Sequence, residues 1–195
     1  MCCRYYYDVK AEEAIYKAIS MKEDKSFLHF ERDIYPSESA PVIAGIKKEA
    51  DVEEMKWGFP SMIDGKLLIN ARSETALEKK SFADSALNRR CIIPAALFYE
   101  WDRSKNKHMF YLPEKTIYMA GIYKQFEDGW RYCILTTAAN ASMSPVHDRM
   151  PLILSENDIE RYIFDNTKIA EYLKHQPPML ENEAEFEQMS IMDLL

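Results

Sequence analysis

The 195-residue sequence predicts an α+β fold, with a mostly antiparallel, barrel-like sheet flanked by helices. Two observations predict it. Helical patterns occur near the start, middle and end of the chain, and runs rich in aromatic and β-branched residues fill the stretches between them. No internal repeat or Gly/Ser linker divides the chain. We therefore expect one domain over 1–195, with a core at about 2–165 and a helical C-terminal tail.

The first half of the chain contains helix and strand signals in alternation. Asp8 is suited to cap a helix whose apolar residues lie roughly on one face. The apolar stretches at 41–46, before Trp57 and at 66–70 predict strands. Residues 71–90 follow a helical pattern that is interrupted near Ser81.

The second half is dominated by strand signals. Aromatic and β-branched residues fill 91–101, 108–112, 116–126 and 130–139, and Asp128-Gly129 is a turn signal between the last two. Ser155 to Asp158 resembles a capping box that begins a helix over 158–164. A further helix is expected over 167–175, and it should end before Pro177-Pro178, because proline cannot continue a helix.

Composition limits the classes of function. The net charge of −7 argues against generic, charge-driven adhesion to nucleic acid, although a local basic cleft remains compatible with it. The four cysteines form no Cys-x-x-Cys pair, so we expect no metal site and no cofactor. No apolar run approaches the roughly 20 residues of a membrane span, and no signal peptide is evident. We expect a cytoplasmic protein with reduced thiols and no membrane association.

Cys2 is the first candidate for chemistry. The initiator methionine is generally removed when the next side chain is small, and removal here would leave a cysteine with a free α-amine beside its thiol. Such an aminothiol condenses with an aldehyde to an imine, and its thiol then closes a thiazolidine ring. It can also act as an N-terminal nucleophile in amide cleavage. The alternative is an incidental cysteine near a frayed chain end.

Three further polar groups interrupt the apolar framework. Asn70 and Arg72 lie at a predicted strand-to-helix junction. Asn70 offers an amide donor and acceptor, and Arg72 offers a guanidinium suited to a phosphate or carboxylate. The alternative is that Asn70 caps the helix and Arg72 is solvated. Glu100 lies among aromatic residues and is suited to general acid–base chemistry, unless strand alternation turns it to solvent. His147 precedes Asp148 and is a candidate proton shuttle, or a satisfied loop histidine.

Taken together and in this order, the motifs resemble those of the SRAP family, the SOS response-associated peptidase-like proteins. The resemblance is carried by Cys2, by "NARSET" (70–75), by "RRCIIPAALFYEW" (89–101) and by "ILTTAA" with "SPVHDRMPLIL" (134–154), and it covers about 2–165. It implies a single SRAP-like domain that recognises abasic sites in single-stranded DNA. It also implies a thiazolidine crosslink between the N-terminal cysteine and the ring-opened sugar.

The family's functional residues fall on definite positions of this sequence. The resemblance assigns the covalent and acid–base steps to Cys2, Asn70, Glu100 and His147. It assigns contacts with DNA to Arg4, Pro36, Trp57, Arg72, Thr136 and Arg149. Position 3 departs from the family pattern, because Cys3 stands where glycine is usual.

Three hypotheses follow. The first is a DNA-damage protein that crosslinks to abasic sites by lyase-like Schiff-base chemistry, as a monomer associated with the nucleoid. The second is a thiol peptidase, as the family's hydrolase label suggests, which uses Cys2 on itself or on other proteins. The third is a non-catalytic DNA- or RNA-binding module, for which Cys2 is dispensable and binding depends only on salt.

Overall fold

The computed structural model describes residues 2–19, 25, 28–46, 49–61 and 65–185. The strands are β1 (Tyr5–Tyr7), β2 (Arg32–Ile34), β3 (Ser39–Ile46), β4 (Glu49–Trp57), β5 (Phe59–Pro60), β6 (Leu67–Leu68), β7 (Asn70–Arg72), β8 (Arg90–Ala95), β9 (Leu97–Trp101), β10 (Lys107–Tyr111), β11 (Ile117–Phe126), β12 (Gly129–Ala138), β13 (Arg149–Pro151), β14 (Ile153–Leu154) and β15 (Glu181–Glu185). The helices are α1 (Val9–Ala18), α2 (Ala83–Asn88), α3 (Ile159–Phe164) and α4 (Ile169–Tyr172).

Five strands close into a barrel. β12 pairs with β4, β4 with β3, β3 with β8 and β8 with β11, and β11 pairs back onto β12. The pairing of β12 with β4 is parallel, as is that of β12 with β7, whereas the other strand pairings are antiparallel. The predicted α+β fold with a mostly antiparallel, barrel-like sheet is confirmed.

A second sheet brings the start of the chain beside the barrel. Its strand order is β15-β10-β9-β1-β2, so β1 lies inside the sheet between two partners. Tyr5 and Tyr7 on β1 have no exposed surface, and they belong to the same buried cluster as the barrel residues. Burying two large aromatic side chains holds the first strand of the chain firmly.

The helix predicted after Asp8 is confirmed as α1, and the Asp8 carboxylate accepts a hydrogen bond from the Ala11 amide at 2.9 Å. The helical pattern over 71–90 is largely wrong. Residues 70–72 form β7, because their backbone pairs with β12, and only α2 is α-helical in this stretch. The single run 91–101 forms two strands, β8 and β9, which enter different sheets.

The C-terminal region is less helical than expected. The helix predicted over 167–175 is shortened to α4, and β15 follows as a strand paired with β10. The expected helical tail is therefore wrong for Glu181–Glu185, because their backbone completes the edge of the second sheet. Residues 186–195 lie outside the described residues. Within the described ranges, no helix is long and apolar enough to cross a membrane.

Candidate functional site

The candidate site is built around the residues that precede β1. The register pairs Tyr5 with Phe98 of β9, and one residue earlier the Tyr99 amide donates to the Arg4 carbonyl at 3.0 Å. The chain is therefore tied to β9 up to Arg4. This pairing directs Cys2 and Cys3 toward the end of β9 that carries Glu100.

The Cys2 thiol is enclosed, and its backbone is held by an amide. Cys2 is 1% exposed, and its Sγ lies 3.7 Å from the Arg4 carbonyl oxygen as a weak donor. Asn70 Nδ2 donates to the Cys2 carbonyl oxygen at 2.8 Å. Asn70 reaches this point because β7 pairs with β12, with Asn70 opposite Ile134. The predicted neighbours Cys2 and Asn70 are thus in direct contact.

Glu100 is the acidic member of the cluster. It is 5% exposed on β9, so strand alternation turns its carboxylate inward rather than to solvent. Burial, followed by the Glu100 charge, raises the pKa of the Cys2 thiol far above its ordinary value. The same two causes raise the pKa of the half-buried Cys3. The structure therefore brings Cys2, Asn70 and Glu100 together.

His147 is placed by its own loop. Its amide donates to the Met143 carbonyl at 3.0 Å, and its Nδ1 accepts a hydrogen bond from the Arg149 amide at 3.0 Å. Accepting at Nδ1 leaves the neutral ring with its proton on Nε2. Asp148 Oδ1 also lies 3.0 Å from Nδ1, which completes an ion pair when the ring is protonated. The His147 side chain is 27% exposed, so part of it packs against protein and part is accessible to solvent.

Arg149 and Thr136 form a unit with Glu74. The Arg149 guanidinium makes a bidentate ion pair with the Glu74 carboxylate, at 2.6 and 2.8 Å, and donates to the Thr136 carbonyl at 2.6 Å. This hydrogen bonding lowers the pKa of the Glu74 carboxyl. Thr136 is completely buried and its carbonyl holds Arg149, and a contact of Thr136 with DNA stays a prediction.

Trp57 is also a core residue. It has no exposed surface, packs between Tyr5 and Tyr132 with ring centroids at 5.3 and 6.1 Å, and donates from its indole to the Ile69 carbonyl at 2.9 Å. Protein covers its ring faces in this structure, and packing of Trp57 against a nucleobase stays a prediction. The contact with Ile69 instead supports the strand end that carries Asn70.

The arginines assigned to DNA contacts differ in whether a carboxylate of the protein pairs with them. Arg4 is paired with Asp33, and its guanidinium lies over the rings of Tyr99 and Tyr35 at 4.4 and 5.2 Å from their centroids. Arg72 is exposed at the end of β7. Pro36 is partly exposed in the turn after β2, directly beyond Tyr35.

Sequence reasoning missed the partners of these arginines. Asp33, Tyr35 and Tyr99 surround Arg4, and Glu74 neutralises Arg149. For Arg4 a signal exists: Asp33 and Tyr35 alternate along one strand, so both point to the same face. Within the described ranges, no group of three or more His, Cys, Asp or Glu side chains is arranged to hold a metal ion.

Comparisons with known proteins agree with one another. A family model described as SOS response associated peptidase (SRAP) matches residues 1–192. The abasic site processing protein YoaM of Bacillus subtilis is 32% identical over 157 residues, which cover 73% of this chain and 69% of that protein. The abasic site processing protein HMCES of Xenopus tropicalis is 27% identical, with 67% and 52% covered.

Solved structures share the fold at low sequence identity. A protein from Bacteroides thetaiotaomicron has a TM-score of 0.77 at 24% identity, over 94% of this chain and 91% of that one. A phage-related protein from Bordetella bronchiseptica has a TM-score of 0.80 at 17% identity, over 95% of each chain.

Proposed function

The chain belongs to the family of SOS response associated peptidases (SRAP), and from that membership we propose that it processes abasic sites in single-stranded DNA by covalent capture through Cys2. The relatives named abasic site processing proteins support the substrate class. The observation that carries the proposal is the contact of the Cys2 backbone with Asn70, beside the buried carboxylate of Glu100.

The chemistry requires removal of Met1, which leaves an α-amine on Cys2. That amine adds to the C1′ aldehyde of the ring-opened abasic sugar, and loss of one water gives an imine. The Cys2 thiol then adds across the C=N bond to give a thiazolidine. The thiol proton passes to the ring nitrogen, with Glu100 as the nearby carboxylate suited to carry it. The net reaction joins protein and sugar with release of one water.

Asn70 supplies positioning. Its Nδ2 holds the Cys2 carbonyl oxygen, and among the described residues no group donates to its buried Oδ1. We assign Oδ1 the role of accepting a hydrogen bond from the Cys2 amine or from the sugar hydroxyl, which aligns the amine with the aldehyde. Replacing Asn70 with Asp would remove the donor while keeping the shape.

His147 and the arginines complete the assignment. His147, with Nε2 as its donor, is suited to protonate the sugar ring oxygen when the closed hemiacetal opens. Arg72 is exposed at the end of β7 and suited to bind a phosphate, whereas Arg4 and Arg149 carry carboxylate partners already. We further propose a monomer of one domain over 1–195, in the cytoplasm and associated with nucleoid DNA.

The thiol peptidase alternative fits the surroundings of Cys2 less well. A cysteine peptidase needs a thiolate, and its pKa is usually lowered by a cationic neighbour. Here burial and the Glu100 carboxylate raise the pKa of the Cys2 thiol. Thiazolidine formation needs no free thiolate beforehand, because Glu100 can take the thiol proton as the sulfur adds to the imine carbon.

The test is a crosslinking assay. The protein, with Met1 removal verified by intact mass, is mixed with a single-stranded oligonucleotide that carries one abasic site and run on a denaturing gel. We expect a shifted band that Cys2→Ser abolishes and Cys3→Ser retains. A shifted band that persists in Cys2→Ser, or no band with the processed wild type, would overturn the proposal.

A second experiment tests whether crosslinking requires the free α-amine of Cys2. A chain that keeps Met1 behind an N-terminal tag should form no crosslink while still binding DNA weakly and reversibly. A covalent adduct from this unprocessed chain would refute the aminothiol chemistry. Turnover of a peptide substrate that is lost in Cys2→Ser would favour the peptidase instead.

A further inference from the structure

Tyr35 is an exposed aromatic residue at the edge of the candidate site. Its side chain is 43% exposed at the end of β2, whereas Tyr5, Tyr7 and Trp57 nearby have no exposed surface. The register pairs Tyr5 with Ile34, so Tyr35 lies opposite Arg4, two residues from Cys2. An apolar ring kept in solvent at this place is a feature that core packing does not explain.

One face of the Tyr35 ring is already supported. The Arg4 guanidinium lies over it, and the same guanidinium lies over Tyr99, whose ring also receives Lys107 Nζ at 5.5 Å from its centroid. An alternating aromatic and cationic row thus runs from the end of β2, past the start of β1, to β9 and β10, and consists of Tyr35, Arg4, Tyr99 and Lys107. We call these four residues the aromatic–cation row; Tyr35 ends it, with its outer face toward solvent.

The turn that holds Tyr35 is well fixed. The Glu38 carboxylate accepts hydrogen bonds from the Tyr35 amide at 3.0 Å and from Arg32 at 2.7 Å, and the Glu38 amide donates to the Tyr35 carbonyl at 3.1 Å. Ser37 has φ of 76° and donates to the Trp57 carbonyl at 2.9 Å. A non-glycine residue in this region is uncommon and persists where its surroundings hold it. The position of Tyr35 is therefore preorganised.

We propose that the outer face of Tyr35 stacks on the base of a nucleotide next to the abasic site, so that Tyr35 positions the DNA strand for attack by Cys2. The inference rests on the proposed function and names a contact for it. Stacking on an aromatic ring tolerates every base, which suits a protein that must recognise lesions in any sequence. Asp33 neutralises Arg4, so Arg4 supports the ring more than it binds phosphate.

The experiment measures binding without the covalent step. Oligonucleotides carry a tetrahydrofuran analogue of the abasic site, which has no aldehyde, and a second tetrahydrofuran is placed in turn at each of the two positions on either side. On the DNA with all flanking bases, Tyr35→Ala should bind about tenfold more weakly and Tyr35→Phe like the wild type. At one flanking position, removing the base should make wild type and Tyr35→Ala bind equally.

A matched control and a variant-free measurement complete the design. Tyr111→Ala removes a tyrosine of β10, three strands from β2 in the same sheet, and should leave binding unchanged. With unmodified protein, 2-aminopurine at the identified position should lose fluorescence on binding, because stacking quenches it. The inference would be overturned if Tyr35→Ala lost the same binding affinity on all the DNAs, or lost none. It would also be overturned if the fluorescence of 2-aminopurine were not quenched on binding.

The outcomes separate the two proposals. Crosslinking by the wild type without coupling between Tyr35 and a flanking base rejects only the stacking role. Coupling to a flanking base without any crosslink to an aldehyde-bearing abasic site rejects the covalent function and retains Tyr35 as a DNA contact.

Discussion

At the residue scale, two adjacent thiols occupy different environments. Cys2 is enclosed by protein, whereas Cys3 is half-buried, and Cys91 and Cys133 are buried. Burial and the charge of Glu100 raise the pKa of both N-terminal thiols. Because the thiolate is the reactive form, access and ionisation together decide which thiol reacts first.

Cys3 is therefore predicted to be the thiol that a small alkylating reagent modifies first in the DNA-free protein. A raised pKa means a smaller thiolate fraction at pH 8 than in free cysteine, so labelling should be slower than for free cysteine and should keep accelerating above pH 9. Mass spectrometry of the labelled peptides checks this. Cys3→Ser should remove the fastest phase, and first labelling at Cys2 would contradict the prediction.

Glu100→Gln is predicted to slow crosslink formation about 100-fold, the low end of the contribution of a positioned acid or base. Binding to DNA with a tetrahydrofuran site should change little, since the amide keeps the shape. Removing the charge should also lower the pKa of Cys3 and speed its alkylation at pH 8. The exposed Glu114→Gln serves as the control, and an unchanged crosslinking rate in Glu100→Gln would contradict the acid–base role.

The cluster of Cys2, Asn70 and Glu100 was more predictable from the sequence than the residues around it. Cys2, Asn70 and Glu100 follow from residue type and order, and the structure brings them into one cluster. The burial of Trp57 could not be predicted, because it depends on Tyr5 and Tyr132, which come from strands far away in sequence. A local pattern specifies the chemistry of a side chain, and tertiary pairing decides what covers it.

At the element scale, Arg90 connects β8 to the ends of two helices. Its guanidinium is buried and donates to backbone carbonyls at the end of α3, including Ile163 at 2.8 Å. It also donates to Ala86 and Leu87 of α2 and to the Asn166 side chain at 2.7 Å. These carbonyls are among those that a helix end leaves unsatisfied.

Arg90→Met is predicted to lower the free energy of unfolding by about 3 kcal/mol, because it removes every donor while keeping most of the apolar stem and leaves buried carbonyls without partners. Denaturant titration measures the change. Arg103→Met, in an exposed turn, is the control and should stay within about 0.5 kcal/mol of wild type. A loss of similar size in both variants would contradict a role for the hydrogen bonds.

Gly121→Ala is predicted to destabilise the barrel by about 1–3 kcal/mol. On β11, an added Cβ would collide with Ile93 Cδ1 and would lie 3.1 Å from the Cys133 carbonyl oxygen. Ile93→Val removes that Cδ1 atom, so the double variant should recover part of the loss in a thermal unfolding cycle. Strict additivity of the two single changes would show that the collision is not the cause.

Elements were predicted best where the pattern was local. The helix after Asp8 is confirmed because its cap and apolar face lie within a few residues. Residues 71 and 72 belong to the predicted helical pattern but continue the strand β7, since β12 supplies parallel backbone partners. β15 carries alternating acids with little apolar character, so its pairing with β10 left no signal in the sequence.

At the scale of the whole molecule, the net charge of −7 disfavours general attraction to the phosphate backbone of DNA. Arg4 and Arg149 have carboxylate partners, and Arg72 is exposed at the end of β7. We predict weak salt dependence, with a slope of log K against log salt of about −1 for single-stranded DNA, since each neutralised phosphate contributes about −0.7. Arg72→Gln should flatten the slope by about 0.7 in a fluorescence titration. A slope steeper than about −3 would indicate an extended basic surface instead.

The interior position of β1 also sets an order of events during synthesis. Cys2 is enclosed only when β1 has paired with β9, and Tyr5 pairs with Phe98, far along the chain. An aminopeptidase that removes Met1 must therefore act on the nascent chain before residues 97–101 leave the ribosome. At about 5–20 residues per second, that interval lasts on the order of 5–20 s. Under the proposed function, a chain that folds with Met1 in place has no free α-amine on Cys2, so the timing of translation sets the fraction of molecules able to form the crosslink.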